Sequence, residues 1–171
     1  MKIPLRVLAV AVLGLAGCDS YPPPPPLDPP APPPYAPAVE PTAYGTAMVT
    51  TGNKAPYGAF LVDGGGRSLY ILEGTRVPGG VDRCVGDCLR AWPPLIASTP
   101  PVPGSGVDPA KLAAVPTSAG PQTIYGGWPL YYYHRDRAPG DTTGQHVTDR
   151  WGTWHLLALS GEPIRPAGSG Y

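Results

Sequence analysis

The sequence predicts an all-β fold: a small domain built from two pseudo-repeated β-hairpin units, with at most one or two short helical turns. Three observations predict it. The 171 residues include 27 Pro and 23 Gly, which interrupt the chain too often for long helices. Ten Tyr and four Trp stand against one Phe, an aromatic supply suited to strands with a wet edge. The third is an internal echo: Gly66-Arg67-Ser68-Leu69-Tyr70-Ile71-Leu72-Glu73-Gly74-Thr75-Arg76 aligns without gaps on Gly127-Trp128-Pro129-Leu130-Tyr131-Tyr132-Tyr133-His134-Arg135-Asp136-Arg137, 61 residues later, and continues from Pro78-Gly79 to Pro139-Gly140.

Each unit opens with an apolar strand, Phe60–Asp63 ahead of three glycines and Gln122–Tyr125 ahead of two. Glycine supplies the positive φ that tight hairpin turns require, so each unit reads strand, glycine turn, Leu-Tyr strand. A lone hairpin is marginal in water, and two facing one another bury a shared core. Helix is confined to short turns. Asp108-Pro109 ahead of AKLAA supplies an N-cap and a first helical position, and Asp87 to Trp92 makes a second turn before Pro93-Pro94 stops it. The last strand expected is Thr153–Leu159.

Ahead of the domain, Lys2 and Arg6 frame an apolar run, Val7–Ala16, that has the length of an export signal and is too short for a membrane span of about 20 residues. The following Leu15-Ala16-Gly17-Cys18 resembles the lipobox of bacterial lipoproteins, which implies cleavage after a 1–17 signal peptide and lipidation of Cys18. Asp19 resembles the signal that retains lipoproteins at the inner membrane of enteric bacteria. Twelve of the twenty residues from Pro22 to Pro41 are Pro, a composition that favours polyproline II. Residues 18–43 are therefore expected to be a lipidated Cys and a Pro-rich disordered linker, reaching on the order of 75 Å at ~3.1 Å per residue. A ligand for an SH3-type partner is the rival reading of that run. The β domain then occupies 44–160, and 161–171 reads as a flexible tail.

Several function classes fall away. Removing Lys2 and Arg6 with the signal leaves ten basic against twelve acidic residues, so no basic groove for nucleic acid is indicated. His134-Arg135-Asp136 has the letters of a kinase catalytic loop, but Asp141 stands where that loop needs Asn, and the Gly-rich loop and DFG are missing. Gly104-Ser105-Gly106 lies in a Pro-rich loop and makes no nucleophile elbow. Asp136 and Asp141 lack the spacing of a calcium loop and read as turn residues, with Asp136 expected to cap the N–H of Ala138.

With Cys18 lipidated, Cys84 and Cys88 remain as an even pair in an oxidising compartment, which favours a disulfide across the Val85-Gly86-Asp87 turn. The alternative is a redox or copper site that joins Cys84 and Cys88 to a histidine, with His134, His146 and His155 as candidates for the third ligand. Tyr131, Tyr132 and Tyr133 read as alternating core residues, with a stacking platform for a glycan or quinone as the rival.

The stretches LYIL, CVGDC, WPPL, QTIYGGWPLYYYHRD and PGDTTGQ followed by Trp151 resemble bacterial lipoproteins with a Yx(F/W/Y)xxD motif, a secreted repeat of unknown function. Tyr131, Tyr133 and Asp136 supply the motif, and the resemblance spans Tyr57 to Leu157. Two departures stand out: the first unit has Leu72 and Thr75 in place of Tyr133 and Asp136, and His146 follows Gln145 where the family more often has Gly. The resemblance implies an envelope location and a repeat architecture, and names no reaction. The expectation is a lipid-anchored envelope protein with its domain in the periplasm, the inner membrane being favoured by Asp19. It is a non-enzymatic binding or structural module without cofactor or nucleic acid, whose partner, protein or small molecule, the sequence does not name. The alternative is a periplasmic redox or metal-handling protein.

Overall fold

A computed structural model of the chain describes residues 46–76 and 83–166. The signal peptide, Cys18, the Pro-rich linker, Pro78-Gly79 and residues 167–171 lie outside the described residues.

The first repeat begins with β1 (Met48–Lys54) and β2 (Gly58–Asp63), an antiparallel pair in which Thr51 faces Leu61. A glycine turn follows, and Leu69 donates its N–H back to Leu61 at 3.0 Å. The chain then leaves this hairpin as β3 (Tyr70–Leu72). α1 (Asp87–Ala91) stops at Trp92, ahead of the two prolines. β4 (Val102–Pro103) returns parallel to β1. Asp108 caps a 3-10 turn at Pro109–Lys111 by accepting the N–H of Ala110, as its position before Pro109 predicts.

The second repeat follows the same course. β5 (Leu112–Thr117) pairs antiparallel with β6 (Gly120–Tyr125), which pairs across Gly126-Gly127 with β7 (Trp128–Pro129). Both glycines have positive φ, 57° and 85°, as a two-residue hairpin turn requires. β8 (Thr148–Asp149) and β9 (Gly152–Leu156) close the domain. The expected all-β domain of repeated hairpins is what the chain forms.

Each repeat also contains a third segment that the hairpin echo leaves out, β9 in the second repeat and a run with isolated bridges at Pro94 and Ile96 in the first. Trp92-Pro93-Pro94-Leu95-Ile96-Ala97 has its counterpart 62 residues later in Trp154-His155-Leu156-Leu157-Ala158-Leu159. The two are exchanged. β3 of the first repeat pairs with β9 of the second, Tyr70 against Leu156, while Tyr131 of the second repeat bridges Pro94 of the first. Leu61 donates to Leu157 O at 2.9 Å, and its counterpart Thr123 donates to Leu95 O at 2.8 Å. Glu73 donates to Thr153 O, and its counterpart His134 donates to Ala91 O. At the centre, Tyr70 and Tyr131 bond one another reciprocally, at 2.8 and 2.9 Å. These equivalent residues meet on a pseudo-two-fold axis. The apolar strands thereby gain partners on both edges, which no isolated hairpin has.

Side chains alternate along the central strands. Leu69, Ile71, Leu130 and Tyr132 enter one apolar cluster, with Val49, Leu61, Tyr125 and Leu157. Tyr70, Leu72, Tyr131 and Tyr133 enter the other, with Phe60, Trp92, Trp154 and both Cys84 and Cys88.

Two boundaries differ from the sequence reading. The last strand ends at Leu156, not Leu159, because the chain turns where Gly161 donates to Ala158 O at 2.9 Å. Residues 161–166, expected as the start of a free tail, are tied down: Ile164 donates to Leu156 O, Gln145 Nε2 donates to Ile164 O at 2.7 Å, and Arg165 meets Glu73 at 2.7 Å.

Candidate functional site

The motif residues converge on the axis. Exposed backbone of the 130–133 run is consumed by pairing with both repeats, which fixes where each ring points. Tyr133 stacks on Trp92 at 4.3 Å between centroids, and Trp92 stacks on Trp154 at 3.9 Å with the planes 8° apart. The two indoles occupy equivalent positions, so the stack crosses the pseudo-two-fold axis. Tyr131 meets Trp154 edge-on at 5.3 Å, and Tyr70 meets Trp92 edge-on at 5.6 Å. Edge-on and offset contacts suit the ring quadrupoles.

Two carboxylates hold the polar atoms of this array. Asp149 Oδ2 accepts from Trp92 Nε1 at 2.9 Å and from Trp154 Nε1 at 3.1 Å. Its Oδ1 accepts the N–H groups of Trp151 and Gly152, which fixes the turn between β8 and β9. Asp136 is buried at 7% exposure. Its Oδ2 accepts from the Tyr70 hydroxyl at 2.7 Å, and its Oδ1 accepts from Thr143 N at 3.0 Å and Thr143 Oγ1 at 2.6 Å. Burial, and then Asp136, push the Tyr70 phenol well above its ordinary range. Gly144 closes the site: a Cβ there would lie 2.9 Å from the Tyr70 ring and 3.0 Å from Tyr133.

The cap expected of Asp136 belongs to Asp141 instead. Asp141 Oδ2 accepts from Ala138 N at 2.9 Å and Arg137 N at 2.8 Å, and these bonds lower the Asp141 pKa. Asp136 reaches across to the other repeat because its own backbone N–H is already turned back onto Tyr133 O. Thr75, its counterpart, makes the equivalent backbone turn to Leu72 O and returns its hydroxyl to the same oxygen. A short hydroxyl ends locally where the longer carboxylate spans the repeats.

Cys84 and Cys88 are bridged, with Cα atoms 5.1 Å apart and both residues fully buried. Their sulfurs are joined to each other, and His134, the histidine of the alternative metal set, places Nδ1 3.0 Å from Ala91 O. Burial lowers the His134 pKa. The three do not form a common ligand set, and among the described residues no group of three His, Cys, Asp or Glu is placed to hold a metal. Tyr131, Tyr132 and Tyr133 are all buried, which leaves no exposed face for stacking a glycan. The Tyr132 hydroxyl ends on Asp63 Oδ2 at 3.0 Å, under the Arg67 guanidinium.

His146 and His155 do come together, with ring centroids 5.3 Å apart. His146 has φ 61°, a left-handed backbone that favours glycine. His155 is 4% exposed, its Nε2 lies 3.7 Å from Glu73, and burial lowers its pKa. Tyr70, Trp92, Trp154 and Asp149 are the site residues that the sequence reading missed. For the two indoles the signal was the recurrence of Trp in the third segment of each repeat.

The fold and its centre define a small all-β protein of two pseudo-symmetric repeats that exchange a strand around a buried aromatic stack. Residues 114–158 match the family described as a secreted repeat of unknown function. The matched segment runs from within β5 to just past β9, most of the second repeat. No curated protein and no solved structure matches the chain. Secretion of the family supports an extracytoplasmic location, and no helix among the described residues is long and apolar enough to cross a membrane.

Proposed function

We propose that this chain is a lipid-anchored envelope protein whose β domain is a non-enzymatic binding or structural module, held off the membrane by its Pro-rich segment. One observation carries the non-enzymatic reading: Tyr131, Tyr133 and Asp136, the residues that define the motif, are buried at the junction of the repeats and engaged with the chain's own groups. A motif spent on joining two repeats serves architecture. The anchor rests on Leu15-Ala16-Gly17-Cys18, and the spacer on the proline run that follows. Cell fractionation of Cys18→Ser tests the anchor: the variant is expected in the soluble periplasmic fraction, without lipid label. Retention of an unlabelled variant in the membrane fraction contradicts it. Turnover of any substrate that is lost in Asp136→Asn while the fold is kept would contradict the non-enzymatic reading.

A further inference from the structure

The rings on the pseudo-two-fold axis are chemically unlike an ordinary core. Tyr133, Trp92, Trp154, Tyr131 and Tyr70 are all electron-rich rings bearing O–H or N–H. Their N–H and O–H groups need acceptors when buried, and the acceptors here are carboxylates, Asp136 buried and Asp149 half-buried. They sit on the groups that lose a proton when such rings are oxidised: both indole N–H groups point at Asp149, and the Tyr70 O–H points at Asp136.

We propose that this array is a one-electron relay with Tyr70 as its terminal donor. A high-potential oxidant of the peroxide-derived or metal-oxo class takes one electron from the Tyr133–Trp92–Trp154 stack. The resulting indole radical cation lies against the Asp149 carboxylate, which stabilises the positive charge. Tyr70, edge-on to Trp92, supplies an electron to that hole while its phenolic proton crosses 2.7 Å to Asp136 Oδ2. The oxidant has then gained one electron, the indole is restored, the O–H bond of Tyr70 is broken and Asp136 carries the proton. A one-electron donor of the ferrous-haem or thiol class reduces the neutral Tyr70 radical, and the proton returns from Asp136. Thr143 bonds to Asp136 Oδ1 and leaves Oδ2 to face the phenol. The Tyr70 phenol holds its proton until oxidised, because burial raises its pKa. The relay is independent of lipidation and goes beyond the module proposed above.

The experiment oxidises the full chain with photogenerated tris(bipyridine)ruthenium(III) and follows the radical by time-resolved absorption and freeze-quench paramagnetic resonance. The expected product is a tyrosyl radical that disappears in Tyr70→Phe and forms more slowly in heavy water. Asp136→Asn, which keeps the side-chain shape, is expected to lose both the radical and the solvent isotope effect, with the indole radical persisting in its place. An unchanged tyrosyl signal in Tyr70→Phe, or oxidation confined to Tyr57 and Tyr132 outside the stack, would overturn the proposal. Circular dichroism of each variant shows whether the fold is kept. Should Asp136→Asn unfold, Tyr70→Phe alone decides between the two outcomes.

Discussion

Asp136→Ala is expected to be far more damaging than the loss of a turn cap. The carboxylate is buried and accepts three hydrogen bonds, from the Tyr70 hydroxyl and from the backbone and side chain of Thr143. A hydrogen bond to a charged acceptor contributes about 1.5–3 kcal/mol, and removing the acceptor strands buried donors. Tyr70 keeps the N–H of Gly144, which donates to the hydroxyl at 3.3 Å, and the neighbouring Ser68 side chain, but loses its charged acceptor. The expected loss is about 3–5 kcal/mol for Asp136→Ala, against about 1–3 kcal/mol for Tyr70→Phe, which takes the donor from Asp136 Oδ2 but keeps both Thr143 bonds. Asp136→Asn retains an acceptor oxygen and should fall between them. Urea denaturation of the three variants and of the Tyr70→Phe/Asp136→Asn double variant measures this, with a coupling of about 1–2 kcal/mol expected from the cycle. Asp136→Ala within about 0.5 kcal/mol of wild type, or additive single effects, would refute the buried bridge between the repeats.

The remaining expectations concern other parts of the same core. Burial depresses the pKa values of His155 and His134 below 6.5, so the folded chain binds fewer protons than the unfolded one in that window. Stability is fully present above pH 6.5 and falls as pH drops through the folded values; a urea midpoint that is flat or rising from about pH 8 to about pH 5 would contradict this, and His155→Gln should flatten the slope. Replacing Cys84 and Cys88 by Ser should cost about 2 kcal/mol, since the loop they close is short. Peptide mapping under non-reducing conditions should find them joined, and two free thiols in fresh protein would contradict the bridge. Gly144→Ala should cost about 1–3 kcal/mol by pressing a Cβ on two rigid rings, and wild-type stability would show that the loop has room.

The glycine turns and the Leu-Tyr echo made two hairpins legible in the sequence, because glycine placement and strand alternation are local properties. The third segment was not legible in the same way. Trp92-Pro93-Pro94 reads as a helix stop, and Pro94, two residues past the Trp92 that ends α1, also bridges Tyr131 on the other repeat. Nothing local distinguishes a strand that closes its own repeat from one that closes its partner. Asp136 was misassigned for a related reason. Short-range turn chemistry favours Ala138 N as its partner, but Asp141 already occupies that donor, and the longer-range Tyr70 hydroxyl is visible only once the repeats face each other. The disulfide was readable from residue parity and compartment. The stacked indoles were present in the sequence as two Trp 62 residues apart, outside the aligned echo.

Cross-strand nuclear Overhauser contacts in the isotopically labelled protein report directly whether the two repeats exchange their third segments across the Tyr70–Tyr131 pair. Exchange predicts contacts of Leu61 with Leu157 and of Thr123 with Leu95, together with Tyr70 against Leu156 and Tyr131 against Pro94. Contacts of Leu61 with Leu95 and of Thr123 with Leu157, each repeat closing on its own strand, would contradict it.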